Sequence, residues 1–357
     1  MIKGRMPRRW RARLAAATLA ASLVGAGATL APAVAATAAP TKASPPKVAP
    51  LGKYAVGVQT RTFVDTTRPT DANGSAPALP TRTLLTTIYY PTAGTPTAAP
   101  TENAPVDAKH GRYPIVLFSH GIYASGPVYQ DVLKSWASAG YVVAAPNYPL
   151  SSADTPGGVN FGRGVADTKN QPGDATFVIN QVIKDKQVGG AVDAKRIGAA
   201  GHSLGGITTY GLAYSPCCRD KRIKAAIPMS GFAGVVEPIE QYVWNGQPPL
   251  LALHGDADPT VPYVSDTNTF QWAKAPKYLV TFPGAGHVFP FLGGDTGQAV
   301  ALKESTTAFL DRYLKDDKAA LDRLRAAATL PGTATLNEQS GATAANAAPT
   351  TPGAKGG

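Results

Sequence analysis

Five consecutive residues, Gly201-His202-Ser203-Leu204-Gly205, restrict this chain more than any other feature does. They lie between a short apolar stretch, Arg196–Ala200, and a helical stretch, Ile207–Tyr214. A strand that must reverse into a helix within so few residues needs glycines, because a Cβ at those positions meets neighbouring backbone. The residue between them is forced outward, and here it is a serine. The helix N-terminus beneath it favours developing negative charge. The pattern G-x-S-x-G therefore reads as a strand–elbow–helix carrying an exposed nucleophile. The plain alternative is a glycine-rich turn with no chemistry.

The rest of the chain supports that geometry. Apolar runs at Tyr54–Val64, Arg82–Tyr90, Tyr113–Phe118, Tyr141–Ala145, Ile223–Met229, Leu250–His254 and Tyr278–Phe282 read as strands. Helical spacing falls at Val128–Ala139, Asp174–Lys184 and Leu302–Leu314. Strands alternating with helices predict an α/β fold with a mostly parallel sheet covered on both faces. In such sheets the chemistry sits at the carboxyl ends of strands.

Two further elements follow strands in this way. After Leu250–Leu253 comes His254-Gly255-Asp256-Ala257-Asp258-Pro259-Thr260-Val261-Pro262, which delivers a carboxylate into a loop; spacing alone leaves Asp256 and Asp258 both open. After Tyr278–Phe282 comes Pro283-Gly284-Ala285-Gly286-His287, which places a histidine C-terminal to the acid. Nucleophile, acid and base then occur in the order Ser, Asp, His. Ser119-His120-Gly121-Ile122 ends an early strand, so the backbone N–H groups of Ile122 and Leu204 are the candidate oxyanion donors. His120, His202 and His254 each adjoin a glycine and read as loop-shaping residues, and His110 as solvated. Asp167 and Asp174 precede the nucleophile and fit helix starts.

The ends of the chain are of other kinds. Residues 1–13 hold six basic residues and no acid, Leu14–Leu30 is apolar, and Ala33-Val34-Ala35 fits a cleavage site. Residues 1–35 are thus expected to be a secretory signal peptide, cleaved near Ala35 and using the general secretory route rather than the twin-arginine one. An uncut membrane anchor is the less favoured alternative, because the apolar run is short and alanine-rich. Residues 36–52 read as a flexible leader, 53–329 as one catalytic domain and 330–357 as a disordered tail poor in large apolar side chains. Six of the 34 basic residues lie in the signal and none of the 23 acids does, so the mature chain carries 28 bases against 23 acids, a net +5. That is no nucleic-acid signature. Cys217 and Cys218 are adjacent and cannot staple distant segments; a vicinal disulfide and two free thiols are equally compatible with export. The five histidines are scattered, so no metal site is expected.

At these residues a family resemblance emerges. Ile88-Tyr89-Tyr90-Pro91, Phe118-Ser119-His120-Gly121, Ala145-Pro146-Asn147-Tyr148-Pro149, the elbow Gly201–Gly206 and the run His254–Pro262 resemble the platelet-activating-factor acetylhydrolase, dienelactone hydrolase and chlorophyllase/polyester-hydrolase-like group of α/β hydrolases. The last run resembles H-G-x-x-D-x-x-V-P, whose Asp is the triad acid, and this selects Asp258 over Asp256. The resemblance implies the α/β-hydrolase fold and a secreted serine carboxylic-ester hydrolase, esterase- or lipase-like. It would act on a small-molecule or polymeric ester through Ser203, Asp258 and His287, as a monomer, with no cofactor and no stable membrane insertion. The sequence departs from polyester-cleaving members at Leu204 and Ile122, where those carry Met or Gln and an aromatic residue. A polyester or cutinase-like activity is the alternative, and a non-catalytic exported binding protein is the rival from another class. Tyr123, Tyr148, Phe232, Trp244 and Phe289 are candidates to wall a substrate pocket.

Overall fold

The computed structural model describes residues 52–234 and 241–340. The expected signal peptide and most of the leader lie outside the described residues.

The chain alternates strands and helices in the order β1 (Ala55–Asp65), β2 (Arg82–Thr92), a two-residue β3 (Thr101–Glu102), β4 (Tyr113–Ser119), α1 (Gln130–Ser138), β5 (Val142–Pro146), α2 (Phe161–Ala166), α3 (Gln171–Lys184), β6 (Val192–His202), α4 (Leu204–Tyr214), β7 (Ile223–Met229), β8 (Leu250–Gly255), α5 (Tyr263–Trp272), β9 (Lys277–Phe282), α6 (Gly297–Leu314), α7 (Ala320–Ala328) and β10 (Thr335–Gln339). The strands form one sheet in the order β10-β9-β8-β7-β6-β4-β5-β2-β1-β3. Strands β5, β4, β6, β7, β8 and β9 run parallel. The β1–β2 hairpin and β10 close the two sides antiparallel. This is the mostly parallel α/β sheet with helices on both faces that the sequence predicts.

Its interior strands read as unbroken apolar runs because both faces are covered. In β4, Ile115 and Leu117 join a core with Val178 and Ile179 of α3 and Tyr210 and Leu212 of α4. Val116 and Phe118 point the other way, into a core with Leu133 and Trp136 of α1 and Phe309 and Leu310 of α6. That alternation is the two-residue period of a strand. Trp136 is fully buried, and its indole N–H donates to Thr306 Oγ1 at 3.0 Å. Truncating a side chain so placed costs about 3–5 kcal/mol.

The order of strands locates the site. The chain passes from β4 outward to β5, then crosses back to place β6 on the other side of β4 and continues outward through β7, β8 and β9. Loops after β4 and β6 therefore diverge, and a crevice opens between them at the strands' carboxyl ends. Pairing of Ser119 with Gly201 sets both strand ends level, so the oxyanion-loop candidate and the nucleophile candidate emerge side by side.

The tail expectation is corrected over part of its length. Thr335–Gln339 pairs with β9 as an edge strand, and the expected boundary at 329 moves accordingly. Composition counted too few apolar side chains to order this segment. However, the free edge of β9 supplies backbone partners, Leu336 packs on the core, and Arg325 grips Glu338 through two bonds of 2.9 and 2.8 Å. Residues 341–357 lie outside the described part. Helix α5 has no periodic signal, and α7, whose buried face is Ala320, Leu324, Ala327 and Ala328, is a further helix not expected above. Cys217 and Cys218, just past α4, are disulfide-bonded.

Candidate active site

The elbow forms as its glycines require. Ser203 has φ 56° and ψ −119°, in a region that L-residues rarely occupy. Such a residue costs on the order of 1–3 kcal/mol and persists only if its surroundings fix it. Here its N–H donates to the Met229 carbonyl at 2.9 Å, and its own carbonyl accepts from Gly206 at 2.8 Å and Ile207 at 3.2 Å. A Cβ on Gly205 would stand 2.0 Å from the Ser119 carbonyl oxygen, and one on Gly201 would stand 2.3 Å from that of Gly205. Neither position admits a side chain.

The structure brings Ser203, His287 and Asp258 into one hydrogen-bonded line. His287 Nε2 lies 2.7 Å from Ser203 Oγ, and His287 Nδ1 lies 2.7 Å from Asp258 Oδ2. With Nδ1–H donating to the carboxylate, Nε2 is free to accept the serine proton. The other oxygen of Asp258, Oδ1, accepts the amides of Thr260 at 2.8 Å and Val261 at 2.9 Å. Burial pushes this carboxyl up, but His287 and the two amides outweigh burial and hold it below the ordinary carboxylate range. Asp256 turns elsewhere and accepts the Gly284 amide at 2.7 Å.

Ile122 and Leu204 flank the serine from the β4 loop and from the first turn of α4. Among the described residues neither amide donates to a protein acceptor, so both remain available to an incoming oxyanion. The two loops are tied together beneath the serine. Gly121 N–H donates to the Tyr129 hydroxyl at 3.1 Å, that hydroxyl lies 2.9 Å from His202 Nδ1, and His202 Nε2 lies 2.7 Å from the His287 carbonyl. A carbonyl only accepts, so His202 carries its proton on Nε2 and takes one from Tyr129 at Nδ1. Burial, with the neighbouring His287, pushes His202 down to about 3 and keeps it neutral. His120 bonds the Gly121 carbonyl at 2.7 Å and accepts the Tyr148 amide at 3.0 Å, and burial pushes it down to about 4. Both histidines shape loops.

The pocket candidates divide. Tyr123, with φ 66°, and Phe289 stand exposed on the oxyanion loop and the base loop, and Phe232 is half-buried past β7. Tyr148 is corrected. It is fully buried, and its hydroxyl shares a 2.7 Å hydrogen bond with Ser119 Oγ, so it supports β4 from below. Trp244 is corrected too. It stacks on Tyr242 at 5.8 Å and against Tyr214 at 5.0 Å, at the end of α4 away from Ser203. An aromatic residue in a loop has no sequence mark that separates a pocket wall from packing.

Asp167 and Asp174 both bind the buried guanidinium of Arg82. Sequence reasoning missed Arg82, Tyr129 and Asp266. Tyr129 sits at the head of α1 with no motif around it, and Asp266 lies in a helix without periodicity.

Comparison with known proteins relates the chain to ester and thioester hydrolases. A chlorophyllase family model matches residues 94–253, which takes in Ile122 and Ser203 and ends before Asp258 and His287. An acyl-protein thioesterase 1 homolog of Dictyostelium discoideum is 26% identical over 188 residues, 48% of this chain and 82% of that protein. Chlorophyllase-1 of Arabidopsis thaliana is 36% identical over 107 residues, 29% of each chain. A solved ferulic acid esterase from Streptomyces cinnamoneus superposes with a TM-score of 0.59 at 21% identity, covering 76% of this chain and 94% of that one.

Proposed function

The chain is a member of the α/β-hydrolase superfamily, related to esterases and thioesterases, and from that premise we propose that it is an exported serine hydrolase of carboxylic esters. The observation that carries this reading is the continuous line from Ser203 Oγ through His287 to Asp258, with 2.7 Å at each step.

Ser203 attacks the ester carbonyl while His287 Nε2 takes its proton. Asp258 holds the ring and balances the imidazolium. The amides of Leu204 and Ile122, aided by the α4 N-terminus, hold the oxyanion; one such donor is worth about 3–4 kcal/mol. His287 then gives its proton to the leaving alcohol, and the acyl group stays on Ser203. Water, deprotonated by His287, releases the acid and restores the serine. No step calls on a metal or an organic cofactor. Export rests on residues 1–35, and the mass of the mature N-terminus in culture medium tests it.

The direct test is covalent labelling. A fluorophosphonate should modify Ser203, and Ser203→Ala should lose both labelling and turnover of aryl esters with its fold intact. Full turnover by that variant sinks the reading. A bulky or polymeric ester is the second reading, favoured by the exposed side chains of Tyr123, Phe161 and Phe289. A series from p-nitrophenyl acetate to long-chain and aromatic esters separates the two.

A further inference from the structure

Directly behind Asp258 lies a second histidine that the mechanism above does not use. His254 is fully buried, at the end of β8. Its Nε2 lies 2.9 Å from the Val261 carbonyl and 3.3 Å from Asp258 Oδ2, and its Nδ1 lies 3.1 Å from Asp266 Oδ2. Asp266, on α5, is buried as well, and its other oxygen accepts the Tyr210 hydroxyl of α4 at 2.7 Å. Tyr263 of α5 presents its ring edge-on to the imidazole.

The partners decide the protons. Val261 offers a carbonyl, which only accepts, so Nε2 must carry hydrogen. Nδ1 faces a carboxylate already bonded to a hydroxyl, so hydrogen belongs there too. With Asp266 ionised, both nitrogens meet acceptors and neither meets a donor; burial pushes Asp266 up, and the bond and charge of His254 and the Tyr210 hydroxyl pull against it. Burial alone would lower His254, but the bond and charge of Asp266, the Val261 carbonyl and the charge of Asp258 together raise it above the ordinary histidine value.

We propose that His254 is a positioning residue of the same site, a fixed imidazolium between Asp266 and Asp258 that pins the acid's carboxylate and offsets part of the negative charge His287 faces. Asp258 Oδ2 then sits between two imidazoles, one mobile in its proton and one not. His254 also fixes the Asp258–Val261 turn through the Val261 carbonyl. This inference rests on the ester-hydrolase reading for its use, and on His254's own contacts for its existence.

Asp266→Asn is the test, because the asparagine amide can donate to Nδ1 while Nε2–H stays on Val261. The ring keeps its place and loses its charge. The positive charge lost lies closer to Asp258 than the negative charge lost with it, so the line to His287 becomes more negative. The acidic limb of the pH profile for fluorophosphonate labelling of Ser203 should therefore move up by about half a pH unit or more. An unmoved limb, or one moved down, in a folded variant overturns the proposal. If the variant does not fold, nitrogen-15 NMR of the wild-type imidazoles decides: His254 should still show two protonated nitrogens at about pH 6.5, where an ordinary histidine is half neutral, and a neutral tautomer at that pH overturns the proposal. The NMR result stands whether or not Ser203 labels, so a failed hydrolase reading is told apart from a failed His254 reading.

Discussion

The cluster around Arg82, at the start of β2, and the cluster around Asp258, in the loop after β8, are both buried, and both hold two or more carboxylates, yet they are built from different cations. Arg82 uses all five of its N–H donors, on Asp167, Asp174 and the Pro69 carbonyl, at 2.6 to 3.4 Å. Arg68 adds contacts to Asp65 and Asp174. A guanidinium does not give up its proton, so this cluster ties β2 to α3 and to the turn before it and cannot act as a base. The Asp258 cluster uses imidazoles, and a neutral imidazole has a nitrogen that can accept a proton. It also leaves one end open, since the His287 side chain is 12% exposed and Asp258 is closed off at 0%. Saturated guanidinium forks make a clamp, whereas the same carboxylates beside an imidazole with one free nitrogen make a base.

Substitutions break the comparison at either end. Ser203→Ala should lower kcat on aryl esters by about 10⁴-fold or more, with the urea midpoint unchanged. Arg82→Met should do the reverse. It leaves Asp167 buried without a counter-charge and Asp174 with Arg68 alone, which costs about 3–5 kcal/mol in urea unfolding. The folded fraction should keep its specific activity. A large fall in activity per folded molecule would show that the two clusters are not separable.

How much of this could be read beforehand follows from distance along the chain. The elbow, the acid loop and the base loop are local patterns, each set by a strand and the glycines after it, so Ser203 and His287 could be picked out locally; spacing narrows the acid to Asp256 or Asp258, the family resemblance chooses Asp258, and the structure brings the three together. The Tyr129–His202 contact spans 73 residues, and the Arg82 bonds span 92 and 85. No periodicity records such pairings. Tyr148 and Trp244 were misplaced for the same reason, because which side of a loop an aromatic ring takes is decided by distant packing. Strand β10 was missed because its order comes from partners distant in sequence, the edge of β9 and the core under Leu336, which its composition does not record.

The buried histidines sharpen the contrast through pH. His120 and His202 are pushed down to about 4 and about 3, from an ordinary value near 6.5, because burial disfavours their charged forms. Below pH 6.5 the unfolded chain binds protons there that the folded chain refuses. Stability therefore falls as pH falls, by roughly 2–3 kcal/mol in all between pH 7.5 and 5.5. His254 has the opposite sign. Its raised value contributes stability that is complete below 6.5 and is lost as pH rises through its folded midpoint. Urea unfolding across about pH 5.5–7.5 measures the sum, to which Asp174, pushed up to about 6 by burial, adds with the sign of His254. His202→Asn should remove about half of the acid-side slope, and an unchanged slope would show that His202 is charged in the fold.

Tyr129→Phe carries the smallest expected effect and the most specific one. The ring keeps its volume between Phe118 and His202, with centroids 4.7 and 5.6 Å away, so the core is not opened. What disappears is one oxygen that accepts from Gly121 and donates to His202. Gly121 precedes the oxyanion donor Ile122, and His202 holds the carbonyl of His287. Both halves of the site therefore loosen together, by a distance that matters when charge forms on the carbonyl oxygen and matters little when substrate first docks. The expected result is a fall in kcat of about ten-fold with KM nearly constant, near 1.4 kcal/mol of transition-state stabilisation. A boronic acid that forms a tetrahedral adduct should weaken in parallel, while a ground-state competitor should not. If KM rises and kcat holds, the strut shapes the pocket and not the oxyanion. The Asp258 cluster would then owe its reactivity to the acid and base loops alone.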